Sequence, residues 1–210
     1  MGVQIVVNRT AHEHDLTDAE LVHRAQCGVQ AAFGELVSRY QDRVFNTCYR
    51  MCHNDADALD LAQSTFMKAL EALPRFEQRS SFYTWLFRIA VNVTMTHRRS
   101  KARRQVQSLD RPEGENRKPA VPAVSGQDCG ASGSAEQREL QTRVEWALAQ
   151  LDDEFRAAVV LKDIENWDYA GIADILDVPV GTVKSRIHRG RLMLRDLLRE
   201  ERESVGRQRA

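Results

Sequence analysis

The sequence predicts an all-α protein with two helical domains joined by a flexible linker, the second domain being a helix-turn-helix. Apolar residues recur at steps of three and four, and no stretch alternates apolar and polar residues as a half-buried strand does. Residues 105–135 hold three prolines, four glycines and four serines, a composition typical of a linker. We expect an N-terminal extension at 1–15, a domain at 16–104, a linker at 105–136 and a second domain at 137–205.

Size, charge and cysteine content exclude several classes of protein. A chain of 210 residues with 42% hydrophobic residues can form packed cores, and 30 basic residues balanced by 30 acidic ones exclude a uniformly basic nucleic-acid coat. No apolar stretch is long enough to cross a bilayer, and Met1–Val7 is too short for a signal peptide. Four scattered cysteines suit a reducing compartment. We therefore expect a cytoplasmic protein without membrane insertion.

The first domain reads as a series of amphipathic helices. Thr17 and Glu20 have the spacing of a capping box. A long helix follows, whose apolar face includes both Cys48 and Cys52. The next helix stops at Pro74, and its apolar face is expected to hold the residues Ala62, Phe66, Ala69, Leu70 and Leu73. Ser80 or Ser81 caps a third long helix that runs from Phe82 to about Arg104.

The second domain ends in a helix-turn-helix pattern. Two helices precede a short helix around Ile172–Leu176, a turn at Asp177–Pro179 and a last helix that reaches about Arg199. On a helical wheel, Val183 and Ile187 fall on an apolar side together with Leu194 and Leu197. The opposite arc carries polar residues suited to a major groove, namely Lys184, Ser185, His188, Arg189 and Arg195. The apolar Leu192 also falls on this arc.

Charge is sorted along the chain although the total is zero. Residues 82–107 hold six basic residues and no acid, and residues 180–199 hold six basic residues and one acid. Each domain thus ends in a basic helix, and attraction of phosphate depends on such local fields. The helix from Phe82 also begins with aromatic residues, which suits stacking on unpaired bases beside a phosphate track, although at least half of them are expected to be core.

Three segments in order resemble bacterial sigma factors of the extracytoplasmic-function group of the sigma-70 family. Residues 76–92, F-E-Q-R-S-S-F-Y-T-W-L-F-R-I-A-V-N, resemble the segment that melts the promoter and reads the minus-ten element. Residues 169–186 are similar to the helix-turn-helix that reads the minus-thirty-five element. Residues 57–66 resemble the segment that grips the clamp coiled coil of RNA polymerase. The resemblance covers roughly residues 16–104 and 138–200.

The resemblance implies a role for each matching residue. Those for polymerase binding are Asp57, Asp60, Leu61, Gln63 and Phe66. Those for the minus-ten element are Ser80, Ser81, Phe82, Trp85, Arg88 and Asn92, with Arg98, Arg99 and Lys101 on the DNA backbone. Those for the minus-thirty-five element are Thr182, Lys184, Ser185, Arg186, His188 and Arg189. The chain departs from the family at Leu59 and Ser64, where acids are common.

The resemblance also implies partners. A sigma factor is not an enzyme and needs no cofactor; it lends sequence reading to core RNA polymerase, which it contacts at the clamp coiled coil and the flap. One domain reads duplex DNA and the other captures an unstacked base. The linker makes promoter binding bivalent. An anti-sigma factor that acts on the two domains is expected as a further partner.

Two other hypotheses fit parts of the sequence. An ordinary two-domain transcriptional regulator explains the helix-turn-helix but not the segment at 57–66. A zinc site or redox sensor could use Cys48, Cys52 and His53, completed by His12 or His14. Against the second hypothesis, Cys48 and Cys52 lie on the apolar helix face, where cysteines pack as core residues.

Overall fold

The computed structural model describes residues 16–109 and 135–208, with side chains at 16–104 and 137–202. The predicted N-terminal extension and residues 110–134 of the predicted linker lie outside these ranges. Within them the secondary structure is helical and contains no strand, so the all-α prediction is confirmed. No helix in the described part of the chain is long and apolar enough to span a membrane.

Each domain contributes four α-helices to the described residues. In the first domain these are α1 (Asp18–Gln26), α2 (Gln30–Cys52), α3 (Asp55–Ala72) and α4 (Phe82–Leu109), with a 3-10 turn at Leu73–Arg75. In the second domain they are α5 (Ala135–Gln150), α6 (Asp153–Val159), α7 (Tyr169–Leu176) and α8 (Val180–Gln208), with a π-turn at Val160–Ile164. Helix α4 thus continues beyond Arg104, where the sequence alone placed its end.

The helix starts follow from their capping side chains. The Thr17 backbone N–H donates to Oε2 of Glu20 at 2.8 Å, and the Glu20 N–H donates to the Thr17 hydroxyl at 3.4 Å, which confirms the capping box. The backbone N–H of Thr84 donates to the Ser81 hydroxyl at 3.0 Å, so Ser81 caps α4. Asp168 caps α7 by accepting from the Gly171 N–H at 2.7 Å.

Between α2 and α3 the chain turns sharply at His53, which has a left-handed φ of 53°. Its N–H donates to the Tyr49 carbonyl, and Asn54 then caps α3. This turn folds α3 back against α2, so both helices face α4. The buried core of the first domain includes Leu21, Val22, Leu36, Val44, Cys48, Met51, Ala58, Leu61, Ala69, Leu73, Phe82, Leu86, Phe87, Ala90 and Val91.

The core of the second domain lies among α6, the π-turn, α7 and α8, where Leu161, Ile172, Ile175, Val183 and Ile187 are buried. These residues belong to the same continuous apolar cluster as the core of the first domain. A second, smaller cluster joins α5 to α6 and the π-turn through Leu148, Leu151, Val159 and Val160. The two domains therefore pack directly on one another in this structure.

Candidate nucleic-acid and protein interfaces

Helix α8 presents a polar face to solvent. Lys184, Ser185, His188 and Arg189 are exposed, whereas Val183 and Ile187 on the other side are buried against α6 and α7. Pro179, in the turn, accepts from the Thr182 and Val183 N–H groups, so the backbone fixes where the helix begins. The division between the two sides of α8 is thus confirmed, and the contact of its polar side with DNA stays a prediction.

Two basic residues of this region already have partners. Arg186 is half-buried and its Nη2 lies 2.6 Å from Oε2 of Glu154 in α6. The Lys184 ammonium lies 5.7 Å from the ring centroid of Tyr169, at the start of α7. Because its ion pair already engages the guanidinium, Arg186 can contact DNA only by sharing or giving up Glu154. Leu192, which the wheel placed on the polar side, is exposed beside Met193.

The residues assigned to the minus-ten element divide between core and surface. Phe82 is only 4% exposed and packs in the core. Trp85 is half-buried, with its ring 4.5 Å from that of Phe76 and 5.7 Å from that of Phe82. Ser80, Ser81, Arg88 and Asn92 are exposed, the last two one helical turn apart on α4. A surface for an unstacked base would therefore be formed mainly by the polar members of this group.

The loop before α4 is held by a residue that sequence reasoning missed. The side-chain amide of Gln26, at the end of α1, donates to the carbonyls of Leu73 and Phe76, each at 2.9 Å. These two bonds fix the start of the loop that carries Ser80 and Ser81. A local sequence pattern could not predict these bonds, because the partners are separated by about 50 residues.

The basic end of α4 differs from the expectation of a free phosphate-binding surface. Arg98 turns inward, donating through Nη1 to the Met51 carbonyl at 2.6 Å and lying 3.0 Å from Asp153 through Nε. Burial lowers the pKa of Arg98. Lys101 Nζ lies 2.7 Å from Oδ2 of Asp57. Of the three residues predicted to contact the DNA backbone, Arg99 is exposed and has no partner among the described residues.

All five residues assigned to polymerase binding lie on α3, but one of them is a core residue. Asp60 and Gln63 are exposed and Phe66 is half-buried, but Leu61 is only 5% exposed and packs inside. The hydrogen bond from Lys101 lowers the pKa of Asp57. This carboxylate is therefore ionised and engaged within the domain.

Helix α3 also carries an exposed apolar face that sequence reasoning missed. Leu59, Met67 and Leu70 are 62%, 55% and 47% exposed. The expectation that both Ala69 and Leu70 belong to the core face is wrong for Leu70, since Ala69 is buried and its neighbour Leu70 is exposed. Leu59 and Met67 are eight residues apart, and Met67 and Leu70 are three apart, which places all three on one side of a helix. This spacing could have predicted the second apolar face.

Of the two cysteines of α2, Cys48 lies in the core and Cys52 is partly buried against it. Cys48 is fully buried and accepts from the Thr94 hydroxyl at 3.5 Å, and burial raises the pKa of its thiol to about 11. Burial also raises the pKa of Cys52. No group of three or more potential metal-ligating side chains occurs in the described ranges, and His12 and His14 lie outside them.

Two family profiles match the chain. The profile of sigma-70 region 2 matches residues 36–104, and that of sigma-70 region 4 matches residues 142–194. Among curated proteins, the chain is 37% identical over 188 residues to the RNA polymerase sigma-H factor of Pseudomonas aeruginosa, covering 87% of this chain and 96% of that one. It is 36% identical over 185 residues to the sigma factor SigW of Bacillus subtilis, covering 85% and 95%. It is 39% identical over 179 residues to the sigma-E factor of Escherichia coli K12, covering 84% and 91%.

Two solved structures share the fold. The structure of CnrH in complex with the cytosolic domain of CnrY has a TM-score of 0.62 at 27% identity and covers 87% of this chain and 97% of that one. The complex of the sigma factor RpoE with the anti-sigma factor NepR from Bartonella quintana has a TM-score of 0.63 at 26% identity and covers 80% and 96%.

Proposed function

The chain belongs to the extracytoplasmic-function group of the sigma-70 family of RNA polymerase sigma factors, and we propose that it directs core polymerase to promoters by reading two DNA elements. The observation that carries this proposal is the presence of both family regions, in order, on one chain whose second region exposes the polar face of α8.

The upstream, minus-thirty-five element is read as duplex by α8. Lys184, Ser185, His188 and Arg189 are exposed on one side of the helix, which has the width to enter a major groove. Arg189 has its guanidinium available for a two-pronged contact to guanine. Thr182 and the free N–H groups at the start of α8 suit backbone phosphate.

The minus-ten element is read as an unpaired strand by the loop at Ser80 and Ser81 and the adjacent side of α4. Arg88 and Asn92 supply hydrogen-bond donors at one-turn spacing, and Trp85 offers the free part of its ring for stacking. Phe82 supports this surface from the core. Capture of a base that has already left the stack recovers part of the cost of melting.

Core RNA polymerase docks on α3. Asp60, Gln63 and Phe66 form a surface with the exposed apolar side chains of Leu59, Met67 and Leu70. Exposed apolar side chains grouped on one helix are typical of a protein interface. This surface suits the clamp coiled coil, and the exposed Leu192 and Met193 of α8 suit the flap.

An anti-sigma factor is the regulatory partner expected of this chain. The similar sigma factor RpoE was solved in complex with the anti-sigma factor NepR. The apolar side chains on α3 would be covered by an inhibitor as readily as by polymerase.

In vitro transcription on a library of randomised promoters tests the proposal. With core polymerase added, we expect transcripts only when the protein is present, from templates that share two sequence elements at a constrained separation. Specific transcripts that depend on one element alone would argue against reading by both domains. Absence of any dependence on the added protein would contradict the proposed function.

A further inference from the structure

We propose that Gln26 is a positioning residue for capture of the minus-ten element. From the end of α1 it holds the backbone at Phe76, and through Phe76 it sets the place of Trp85 and of the loop at residues 77–81. The effect on DNA reading rests on the proposed function of that loop. The contacts that hold the loop do not depend on that function.

One amide nitrogen holds the start of the loop. Nε2 of Gln26 donates to the carbonyls of Leu73 and Phe76, each at 2.9 Å, which engages both of its N–H groups. These carbonyls lie past the end of α3, where backbone groups lose their intrahelical partners. Because one planar NH₂ group makes both bonds, they fix the position and the direction of the backbone together.

Phe76 transmits this constraint to the proposed reading side of α4. Its side chain is 9% exposed, and its ring stacks on that of Trp85 with centroids 4.5 Å apart and planes 25° apart. The Phe76 and Phe82 rings meet edge to face, with centroids 6.3 Å apart. Aromatic contacts of this kind depend on the placement of both rings. A shift of the Phe76 backbone would therefore move the support of Trp85, whose free part is the proposed stacking surface.

The loop itself has few contacts that keep its shape. Gln78 has a left-handed φ of 55°, a strained backbone conformation for a residue other than glycine. The side chains of residues 77–80 are exposed, and among the described residues they form no hydrogen bond or ion pair with a helix. An ion pair between two of them is mostly exposed and adds little. The shape of the loop therefore depends on its two ends, the Gln26 bonds at the entry and the Ser81 cap at the exit.

Helix α1 is itself held near the start of α4, so Gln26 has a fixed support. Asp18, at the other end of α1, accepts a hydrogen bond from the Tyr40 hydroxyl of α2. The Tyr40 ring centroid lies 5.9 Å from that of Phe82 and 5.3 Å from that of Tyr83, the first two residues of α4. Both ends of α1 are thus tied to the segments that flank the loop.

Loss of the Gln26 bonds should impair minus-ten reading selectively. Capture of an unpaired base needs its partners in place before the base arrives, and a misplacement of about 1 Å is enough to cost a large factor. The residues proposed to bind polymerase lie on α3 and those proposed to read the upstream element lie on α8. Affinity for polymerase and preference at the minus-thirty-five element should therefore stay unchanged.

Four variants separate the hydrogen bonds from the packing of the side chain. Gln26→Met keeps the length of the side chain without a donor, and Gln26→Glu places an acceptor opposite two carbonyls. Gln26→Lys restores donors, since an ammonium has three N–H groups and carbonyls at a helix end attract a cation. The matched control is Gln30→Met, at an exposed glutamine that begins α2.

Binding of the holoenzyme to fork-junction DNA measures the role. The probe carries the minus-ten element of a selected promoter as a single strand, and each of its bases is replaced in turn. We expect the preference of Gln26→Met and Gln26→Glu for the matched strand to fall about tenfold at the captured base. Gln26→Lys and Gln30→Met should keep the wild-type preference, and all four should keep the wild-type affinity for core polymerase.

A wild-type preference in Gln26→Met at every position would overturn the positioning role, and any loss of thermal stability would then be a structural effect only. A loss of preference that Gln26→Lys shares in full would overturn the hydrogen bonds as its basis. If Gln26→Glu fails to fold, Gln26→Met and Gln26→Lys decide. Absence of any base preference in the wild-type holoenzyme would instead contradict the proposed reading of the minus-ten element.

Discussion

The two proposed DNA-reading regions are built differently. On α8 the reading residues and the packing residues are separate sets, with Lys184 and Arg189 exposed on one side and Val183 and Ile187 buried on the other. On α4 the same short segment supplies a core ring, Phe82, and a donor that contacts the other domain, Arg88. Substitutions should therefore separate stability from DNA reading more cleanly on α8 than on α4.

Placing a charge on the packing side of α8 should have the largest effect. Val183 is fully buried, so Val183→Asp leaves an unpaired carboxylate in the core and should cost more than about 3 kcal/mol of unfolding free energy. Its neighbour Lys184 is exposed, and Lys184→Asp should leave the fold intact while weakening DNA binding. Thermal unfolding followed by circular dichroism measures both, and equal destabilisation by the two variants would refute the division.

Two substitutions on α4 separate the effect of a core residue from that of an exposed residue on the same helix. Phe82→Ala removes a core ring and should cost about 3–5 kcal/mol of stability. Asn92→Ala changes an exposed amide and should reduce open-complex formation without a change in stability or in polymerase binding. Permanganate footprinting of the melted region, beside thermal unfolding and a polymerase binding assay, separates the two effects. A fall in stability that accounts for the Asn92→Ala defect would assign the amide a structural role.

Arg189→Ala should change what is read rather than how the protein folds. Loss of a two-pronged donor to guanine should remove about 1–3 kcal/mol of discrimination at one or two positions of the upstream element. Selection from a randomised upstream element, with polymerase present, measures the preference of wild type and variant. If Arg189→Ala keeps the wild-type preference at every position, the reading face has been assigned wrongly.

The smallest effect is expected at Arg186, which lies at the margin of the same face. Because the guanidinium is paired with Glu154, Arg186→Ala should weaken all promoters about equally and alter no base preference. Each phosphate that is no longer neutralised should flatten the salt slope of binding by about 0.9. Titration of promoter binding against salt concentration measures the slope, and a changed base preference would contradict a backbone role.

The fold was predictable to the extent that it depends on local patterns. The capping box at Thr17 and the two sides of α8 follow from residue spacing, and the structure confirms both. The inward turn of Arg98 and the ion pair of Lys101 were not predictable, because their partners, Met51, Asp153 and Asp57, are distant in sequence and are brought near only by packing. A run of basic residues reveals the charge of a helix but not which side chains find partners.

The candidate sites show the same limit. The residue roles on α3 came from a motif, and a motif does not distinguish Leu61, which packs inside, from the exposed Leu59 next to Asp60. The contacts between the domains were beyond sequence reasoning for a stronger reason. Arg156 satisfies four carbonyls on two helices, and neither the spacing nor the composition of α6 predicts where those helix ends lie.

A gel shift on a selected promoter measures whether DNA reading by this protein depends on core RNA polymerase. With core polymerase present, we expect specific binding that weakens as salt is raised. The free protein should bind the same promoter weakly, because its net charge is zero and residues 82–107 and 180–199 hold only six basic residues each. Tight, specific binding by the protein alone, unchanged by polymerase, would refute this dependence and favour an ordinary transcriptional regulator.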